Sequence, residues 1–394
     1  MQCPEVRSSR RMSNKLGNIS AISWNNLRIG QGREGTVRRA LSVLQQTECF
    51  ESPWQMWSAL YALICAGELR RAGQHCLWLA EHPRTSNEAM EGIKLIQART
   101  RFLRGQTAQA LASYSEPVPA DRLAAVRAAW TVEAMLDLGE VKAAQHLLRH
   151  RNLDGVIPPG LPGRGSLLTA RGQLHLALGT PQSAVADFIE SGRPPTNGPI
   201  ENPAVTAWRS RAALALATER PPLASRLADE ELMLAMRWGA PRQIGWALHA
   251  HAIVRDDQQT AALLGEAVDL LEVADARSEL IPVLFRTAGY LAAKGDSLAS
   301  RQRLTRASEL ARADGRMHWA KRIDSAMHRL EGRRPHPTLT RQQLRVTSLA
   351  RAGSTNRHIA SQLNLSVRAV EFHLSAAYRR LGISGRAELY QMMG

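Results

Sequence analysis

The amino-acid sequence predicts an all-α protein in which an array of helical hairpins precedes a small four-helix domain. Small turn residues recur through the middle of the chain at steps of 34 to 40 residues, and a period of this length is typical of stacked repeats. The segments between these turns carry apolar residues at helical spacing, and no stretch alternates apolar and polar residues over more than a few positions. The C-terminal part of the chain contains four helix start signals.

The repeat consists of a turn residue and a small residue five positions later. The seven pairs are Gly67 with Ala72, Gly105 with Ala110, Gly139 with Ala144, Gly179 with Ala184, Glu219 with Ala224, Asp256 with Ala261, and Gly295 with Ser300. A turn glycine tolerates positive φ between two antiparallel helices, and the small residue lets the partner helix approach closely. We therefore predict about seven hairpins between residues 41 and 331, with the proline-rich segments 157–163 and 193–199 between hairpins.

This array resembles the tetratricopeptide (TPR) superfamily, although most repeats exceed 34 residues and the early Trp-x-x-Leu-Gly element is missing. The resemblance implies a TPR-like solenoid, a kind of fold that binds partners on its concave face. Two roles stay open for it, namely sensing of a protein partner or small ligand, and service as a spacer or dimer scaffold. Most of the nine tryptophans lie in this region, where we expect them to pack between hairpins.

Basic residues are distributed unevenly along the 394 residues, whose formal net charge is +16. Residues 333–394 contain ten arginines, no lysine and two glutamates, a net charge of +8. Residues 1–40 carry a net charge of +6, and we interpret them as a solvated basic N-terminal segment. A strongly basic chain indicates a polyanionic partner, either nucleic acid or an anionic membrane surface.

The cysteine, histidine and apolar patterns disfavour a metalloprotein, an enzyme and a membrane protein. Cys3, Cys49, Cys65 and Cys76 form no metal-ligand pattern, and no apolar run reaches 18 residues. No Ser/His/Asp, Cys/His or paired-carboxylate set stands at a catalytic spacing. We therefore expect no metal, no cofactor, no enzymatic activity and no membrane partner, and a cytoplasmic location with reduced thiols.

The C-terminal domain is predicted at residues 339–394, after a linker at residues 332–338 that contains one glycine and two prolines. Its four helices are expected to begin at Thr340, where Gln343 completes a capping box, and at Thr355, Ser366 and Ser384. Gly353 is expected to end the first helix, and Asn364 to occupy the turn between the second and third helices, where it tolerates positive φ.

The third helix of this domain is predicted to have two distinct faces. At 100° per residue, its core stripe comprises Val370, Leu374, Ala377 and Leu381, and its outward face comprises Arg368, Glu371, Phe372, Ser375 and Arg379. Such an outward face suits the major groove of DNA. There Glu371 can accept a hydrogen bond from a cytosine amino group, and Phe372 can touch a thymine methyl. Arg368 and Arg379 can hold phosphates or a guanine.

Residues 339–389 closely resemble the LuxR-type helix-turn-helix. The matching residues are Leu339-Thr340, Gly353, Asn356-Arg357, Ile359-Ala360, Leu363, Leu365-Ser366, Val370-Glu371, His373-Leu374, Tyr378 to Ile383, and Arg386 to Leu389. The resemblance implies a helix-turn-helix unit at residues 356–375, a recognition helix at 366–380, and a fourth helix near 384–392 that pairs two domains on DNA. The expected DNA-contacting residues are Thr355, Asn356, Arg357, Ser366, Val367, Arg368, Glu371, Phe372, Ser375, Arg379 and Arg380.

This sequence departs from the LuxR pattern at two places. The usual Pro-Arg-Glu is Arg341-Gln342-Gln343, which keeps a residue able to cap the helix, and the usual Thr before Val370 is Ala369, which lacks one hydroxyl. Neither departure threatens the predicted fold, and Ala369 affects at most one phosphate contact.

The two regions together resemble the C-terminal half of large ATP-binding LuxR-type regulators. We expect no ATPase module, because the glycine-rich string at residues 30–36 lacks the lysine of a phosphate-binding loop. The expected function is a sequence-specific transcription activator that binds double-stranded DNA as a homodimer. The resemblance also suggests control of an antibiotic or other secondary-metabolite gene cluster, with RNA polymerase, a protein or a small ligand contacting the array. The alternative is an interaction scaffold whose DNA-binding domain is vestigial.

Overall fold

The computed structural model describes residues 26–118, 122–193, 198–332, 339–381, 383 and 385–391. These residues form helices and no strand, which confirms the all-α prediction. The chain divides into two compact units, Met1–Ser325 and Ala326–Gly394. Residues 333–338 of the predicted linker at 332–338, and the predicted N-cap Ser384, lie outside the described residues.

The first unit contains a helical array. Its helices are α1 (Arg33–Gln45), α2 (Pro53–Cys65), α3 (Leu69–Glu81), α4 (Asn87–Leu103), α5 (Thr107–Tyr114), α6 (Ala124–Leu138), α7 (Val141–His150), α8 (Arg164–Ala177), α9 (Pro181–Ser191), α10 (Trp208–Leu216), α11 (Pro221–Trp238), α12 (Pro241–Arg255), α13 (Thr260–Val273), α14 (Arg277–Ala293) and α15 (Ser297–Ala313), with a 3-10 turn at Thr47–Glu51. A further helix, α16 (Met317–Gly332), begins in this unit and contains the division between the units. Helices α2 to α15 pair in order as seven hairpins.

The turns follow the predicted chemistry in six of seven hairpins. The five turn glycines and Asp256 have positive φ, for example 83° at Gly139, whereas Glu219 does not. At Gly139 the amide of Glu140 donates to the carbonyl of Met135 at 2.8 Å, which is the hydrogen bond of a helix-ending Schellman motif. The predicted small residues are buried in every hairpin except the sixth. There the turn is longer, so Ala261 is exposed and Thr260 is buried in its place.

Part of the segment predicted as a basic N-terminal tail is helical. Helix α1 begins at Arg33, and its apolar residues Val37, Ala40 and Leu44 are all buried. These positions repeat at helical spacing, so the helix gains a buried face against α2. Residues 33–40 therefore belong to the array, and residues 1–25 lie outside the described part of the chain.

Only some of the tryptophans of the array lie in the core, where all of them were expected. Four of them, Trp57, Trp130, Trp208 and Trp238, are at most 8% exposed. Trp54 and Trp78 are about half exposed, and Trp246 and Trp319 are half-buried on the inner side of the array.

Contacts between distant hairpins bend the array back on itself. The indole Nε1 of the buried Trp238 donates to the carbonyl of Cys65 at 2.9 Å. Farther along, the carboxylate of Asp137 accepts from the guanidinium of Arg316 and, at 3.2 Å, from the indole of Trp319. These contacts join residues more than 170 positions apart, and they enclose the inner side of the first unit.

The second unit contains four short helices after the end of α16, as predicted. They are α17 (Arg341–Arg351), α18 (Asn356–Leu363), α19 (Val367–Leu381) and α20 (Arg386–Gln391). Their shared core includes Val346, Ile359, Val370, Leu374 and Leu389, each at most 5% exposed.

The expectations about thiols, metal sites and membrane spans concern the cysteines, the metal-ligand side chains and the helix lengths. Cys49, Cys65 and Cys76 are buried thiols without a disulfide. Within the described ranges, no three His, Cys, Asp or Glu side chains come together as a metal site. None of the helices traced there has the length and hydropathy needed to cross a lipid bilayer.

Candidate nucleic-acid interface

The first helix of the C-terminal unit is capped as the sequence predicts. The side-chain oxygen of Thr340 accepts from the Gln343 amide at 3.2 Å, and Gln343 Oε1 accepts from the Thr340 amide at 3.0 Å. This is a reciprocal capping box, formed by the glutamine that departs from the LuxR pattern. The same Oε1 also accepts from the guanidinium of Arg380 at 2.8 Å, which ties the end of α19 to the start of α17.

The turn between α18 and α19 is defined by local hydrogen bonds. Thr355 Oγ1 accepts from the His358 amide at 3.3 Å and so caps α18. Asn364 ends α18 in the left-handed region, with φ 53° and ψ 49°, as predicted. Ser366 Oγ then accepts from the Ala369 amide at 3.1 Å at the start of α19. The side chains at the helix ends therefore direct the chain from one helix into the next.

Helix α19 has the two faces that its sequence predicts. Val370 and Ala377 are fully buried and Leu374 is 5% exposed, so the core stripe packs into the unit. The side chain of Leu381 lies outside the described residues. The five residues of the predicted outward face, Arg368, Glu371, Phe372, Ser375 and Arg379, are all exposed. Phe372 is 67% exposed, so its ring is available for contact with a partner.

The other predicted contact residues differ in how free their side chains are. Thr355, Arg357, Ser366 and Val367 are exposed near the starts of α18 and α19. The remaining two have partners inside the unit, since Arg380 donates to the capping box and Asn356, half-buried, accepts from another arginine side chain.

That arginine is Arg386, whose role the sequence reasoning did not identify. Its guanidinium donates to the carbonyl of Ala350 at 3.0 Å, to the carbonyl of Ser354, and to Asn356 Oδ1 at 3.5 Å. The last carbonyls of a helix lack partners inside the helix. Arg386 at the start of α20 therefore joins the end of α17 to the start of α18. Its position within the LuxR-like segment was the available signal.

The unit is strongly basic on the scale of its size. Residues 339–391 contain eight arginines and only two acidic residues, Glu371 and Glu388. The exposed arginines at the helix starts and on α19 provide charge for a phosphate backbone, while Glu371 provides an acceptor among them.

Comparison with known families identifies this unit. Residues 337–393 match the family model described as bacterial regulatory proteins, luxR family, which covers all four helices of the unit. A comparison of the chain with curated proteins gave no match. The C-terminal unit is therefore a LuxR-type helix-turn-helix domain.

Proposed function

We propose that this chain, which carries a LuxR-type DNA-binding domain at residues 337–393, is a sequence-specific transcription regulator that inserts α19 into the major groove. The observation that carries the proposal is the division of α19 into a buried stripe and an exposed face. The stripe at Val370, Leu374 and Ala377 fixes the helix to its domain, so its outward face is held rigidly. That face combines donors, an acceptor and an aromatic ring, as base-edge recognition requires.

Each exposed residue of the interface has a distinct proposed role. Glu371 accepts from a cytosine amino group, and Phe372 contacts a thymine methyl. Arg368 and Arg379 bind phosphates or a guanine, and Ser375 lies on the same exposed face of α19. Thr355, Arg357, Ser366 and Val367 lie where helix starts meet the DNA backbone, and Arg357 supplies the charge. Asn356 and Arg380 bind phosphate while keeping their internal partners, since the Nδ2 group of Asn356 and the other guanidinium N–H groups of Arg380 take no part in those bonds.

The proposal extends to the assembly and to the signal. Two copies pair through α20 and read two roughly inverted half-sites, since the spacing of half-sites follows the symmetry of a dimer. The helical array, which we assign as TPR-like, receives a partner or small ligand and contacts RNA polymerase as part of an activator. The family resemblance supports a secondary-metabolite gene cluster as the set of genes that the regulator controls.

The test is selection of bound sequences from a pool of random DNA duplexes by the full chain, followed by affinity measurements on the selected site. We expect Glu371→Ala to relax sequence preference at one position of the site, with a loss of about 1–3 kcal/mol of discrimination there. Arg226→Gln is the matched control, because Arg226 is exposed on α11 of the array. Its site preference should equal that of the unaltered chain.

Two outcomes would contradict the proposal. Unchanged base preference at every position in Glu371→Ala would show that α19 is not the recognition helix. Absence of measurable DNA binding at low salt would reject the regulator and favour the scaffold alternative.

A further inference from the structure

The inner side of the array forms an open cavity of about 340 Å³. Helices α4, α6, α8, α9, α10, α12, α14 and α16 line it, mostly the first helix of successive hairpins. Pockets for small ligands typically have volumes of about 300–1,000 Å³. A space of this size therefore suits a small molecule. Five arginines stand in its wall, namely Arg99, Arg211, Arg242, Arg286 and Arg322.

Two of the five arginines are neutralised by carboxylates of the array. The guanidinium of Arg99 pairs with Glu133, and Glu133 also accepts from Gln173 at 3.3 Å. Arg242 pairs with Glu279, with 2.9 Å between its Nε and the Glu279 Oε1. These two ion pairs are part of the wall and leave no net charge.

The other three arginines form no salt bridge with any residue in the described part of the chain. The Nε of Arg211 is buried and lacks a hydrogen-bond acceptor. Arg286 and Arg322 are exposed residues that line the cavity. The wall therefore presents three positive charges to one small space.

The surroundings of these guanidinium groups destabilise their charged forms. The pKa of Arg286 is lowered, first because the surrounding protein displaces water and then because Arg322 and Arg211 are neighbouring cations. Burial also lowers the pKa of Arg211 and of Arg322. Cations held together in a place of reduced hydration are unfavourable unless an anion joins them.

Aromatic rings stand beside these cations. The guanidinium carbon of Arg322 lies 4.5 Å from the Trp319 ring centre, and that of Arg211 lies 5.5 Å from the Trp246 ring centre. The indole nitrogen of Trp246 is buried without an acceptor, so it is a further donor. Phe285 packs edge-on against Trp319, with 5.8 Å between the ring centres. The cavity thus offers flat apolar surfaces next to anion-binding groups.

We propose that this cavity binds a small organic anion, a phosphate ester or carboxylate with a planar apolar part. Arg211, Arg286 and Arg322 hold the anionic oxygens, since guanidinium groups bind such oxygens in a bidentate manner. The planar part stacks against Trp246 and Trp319. The anion is the small-ligand signal of the array, a role that rests on the proposed function as a regulator.

The test uses the full chain without DNA, with phenyl phosphate as the probe and benzyl alcohol as its neutral counterpart. Calorimetry measures the heat of binding. Tryptophan fluorescence also reports binding, because two tryptophans line the site. We expect phenyl phosphate to bind and benzyl alcohol to bind at least about tenfold more weakly. Arg286→Gln and the triple variant Arg211→Gln, Arg286→Gln, Arg322→Gln should weaken phenyl phosphate binding by about tenfold or more.

Arg226→Gln serves again as the control and should bind phenyl phosphate as the unaltered chain does. Circular dichroism and Tm establish that the variants fold, and the Tm of Arg286→Gln should equal or exceed that of the unaltered chain because repulsion from Arg322 and Arg211 is removed. The proposal is overturned if phenyl phosphate does not bind at millimolar concentration, binds the glutamine variants equally well, or binds no better than benzyl alcohol. DNA affinity is measured separately, so a failure of this site and a failure of the DNA-binding proposal give different results.

Discussion

Some arginines of the array lie in surroundings opposite to those of the arginines on the C-terminal unit. In the C-terminal unit, Arg357, Arg368 and Arg379 extend into solvent from helix surfaces. In the array, Arg316 is fully buried and Arg211 is half-buried in the wall of a cavity. A solvated arginine keeps its hydration, so it hardly affects the free energy of folding and stays available for a phosphate backbone. A buried arginine loses its hydration, so it is stable only with an anion close by. The net charge of +16 therefore includes arginines exposed on a domain surface and arginines that are buried or line a cavity.

The largest effect is expected where an enclosed arginine already has its anion. Arg316 pairs with Asp137 and also donates to the carbonyl of Arg277 at 2.9 Å. Arg316→Met leaves the carboxylate of Asp137 buried without its cation, so the free energy of unfolding of the array should fall by about 3–5 kcal/mol. Urea denaturation of the full chain, followed by tryptophan fluorescence, measures this loss.

An arginine that lines the cavity gives the control for this prediction. Arg286 faces the cavity without a carboxylate partner among the described residues, so Arg286→Gln should leave the free energy of unfolding unchanged or raise it. If Arg316→Met and Arg286→Gln lowered the free energy of unfolding by similar amounts, the distinction between a buried arginine with a carboxylate partner and a cavity arginine without one would be contradicted.

A smaller effect is expected at an enclosed carboxylate. Glu231 on α11 is fully buried, and burial raises its pKa to about 7 despite the nearby Arg209. Its Oε1 accepts from the Ser210 amide at 3.3 Å, and its Oε2 lies 3.8 Å from Arg209. Because the folded protein favours the protonated form, the free energy of unfolding should fall as the pH rises from about 4.5 to about 7.

Glu231→Gln keeps the neutral form at every pH and so isolates this contribution. The variant and the unaltered chain should unfold with similar free energies near pH 5, and the variant should be more stable by more than about 1 kcal/mol at pH 8. His249 acts in the opposite direction, since burial lowers its pKa to about 3, but it titrates equally in both proteins and cancels. A difference that does not change with pH would contradict a buried, neutral Glu231.

The sequence predicted those features that depend on neighbouring residues. The turn at Gly139, the capping box at Thr340 and the left-handed Asn364 each follow from a few adjacent side chains and backbone groups. The two faces of α19 also follow, because helical spacing alone separates Val370 from Glu371. The misplaced small residue at Ala261 shows the limit, since one longer turn shifts the register of the next helix.

The features that the sequence did not predict depend on contacts across long separations. The hydrogen bond from Trp238 to Cys65 and the ion pair between Asp137 and Arg316 have no local signal, so the cavity could not be foreseen. In the DNA-binding domain, Arg380 was expected at the interface and is exposed, but its hydrogen bond to the capping box was not foreseen. The spacing of residues in the sequence predicts which side chains lie on the same face of a helix. Only the packed structure shows which partner each side chain contacts.

The most direct test of the difference between arginines exposed on the DNA-binding domain and arginines that line the cavity is the salt dependence of DNA affinity in two variants of the full chain. Arg357→Gln removes an exposed arginine, and Arg286→Gln removes one that faces the cavity. We predict that Arg357→Gln weakens binding to all sequences and lowers the slope of log affinity against log salt by about 1, because one fewer phosphate contact releases fewer counterions. Arg286→Gln should leave the slope unchanged. An unchanged slope in Arg357→Gln, or an equal decrease in Arg286→Gln, would contradict the account.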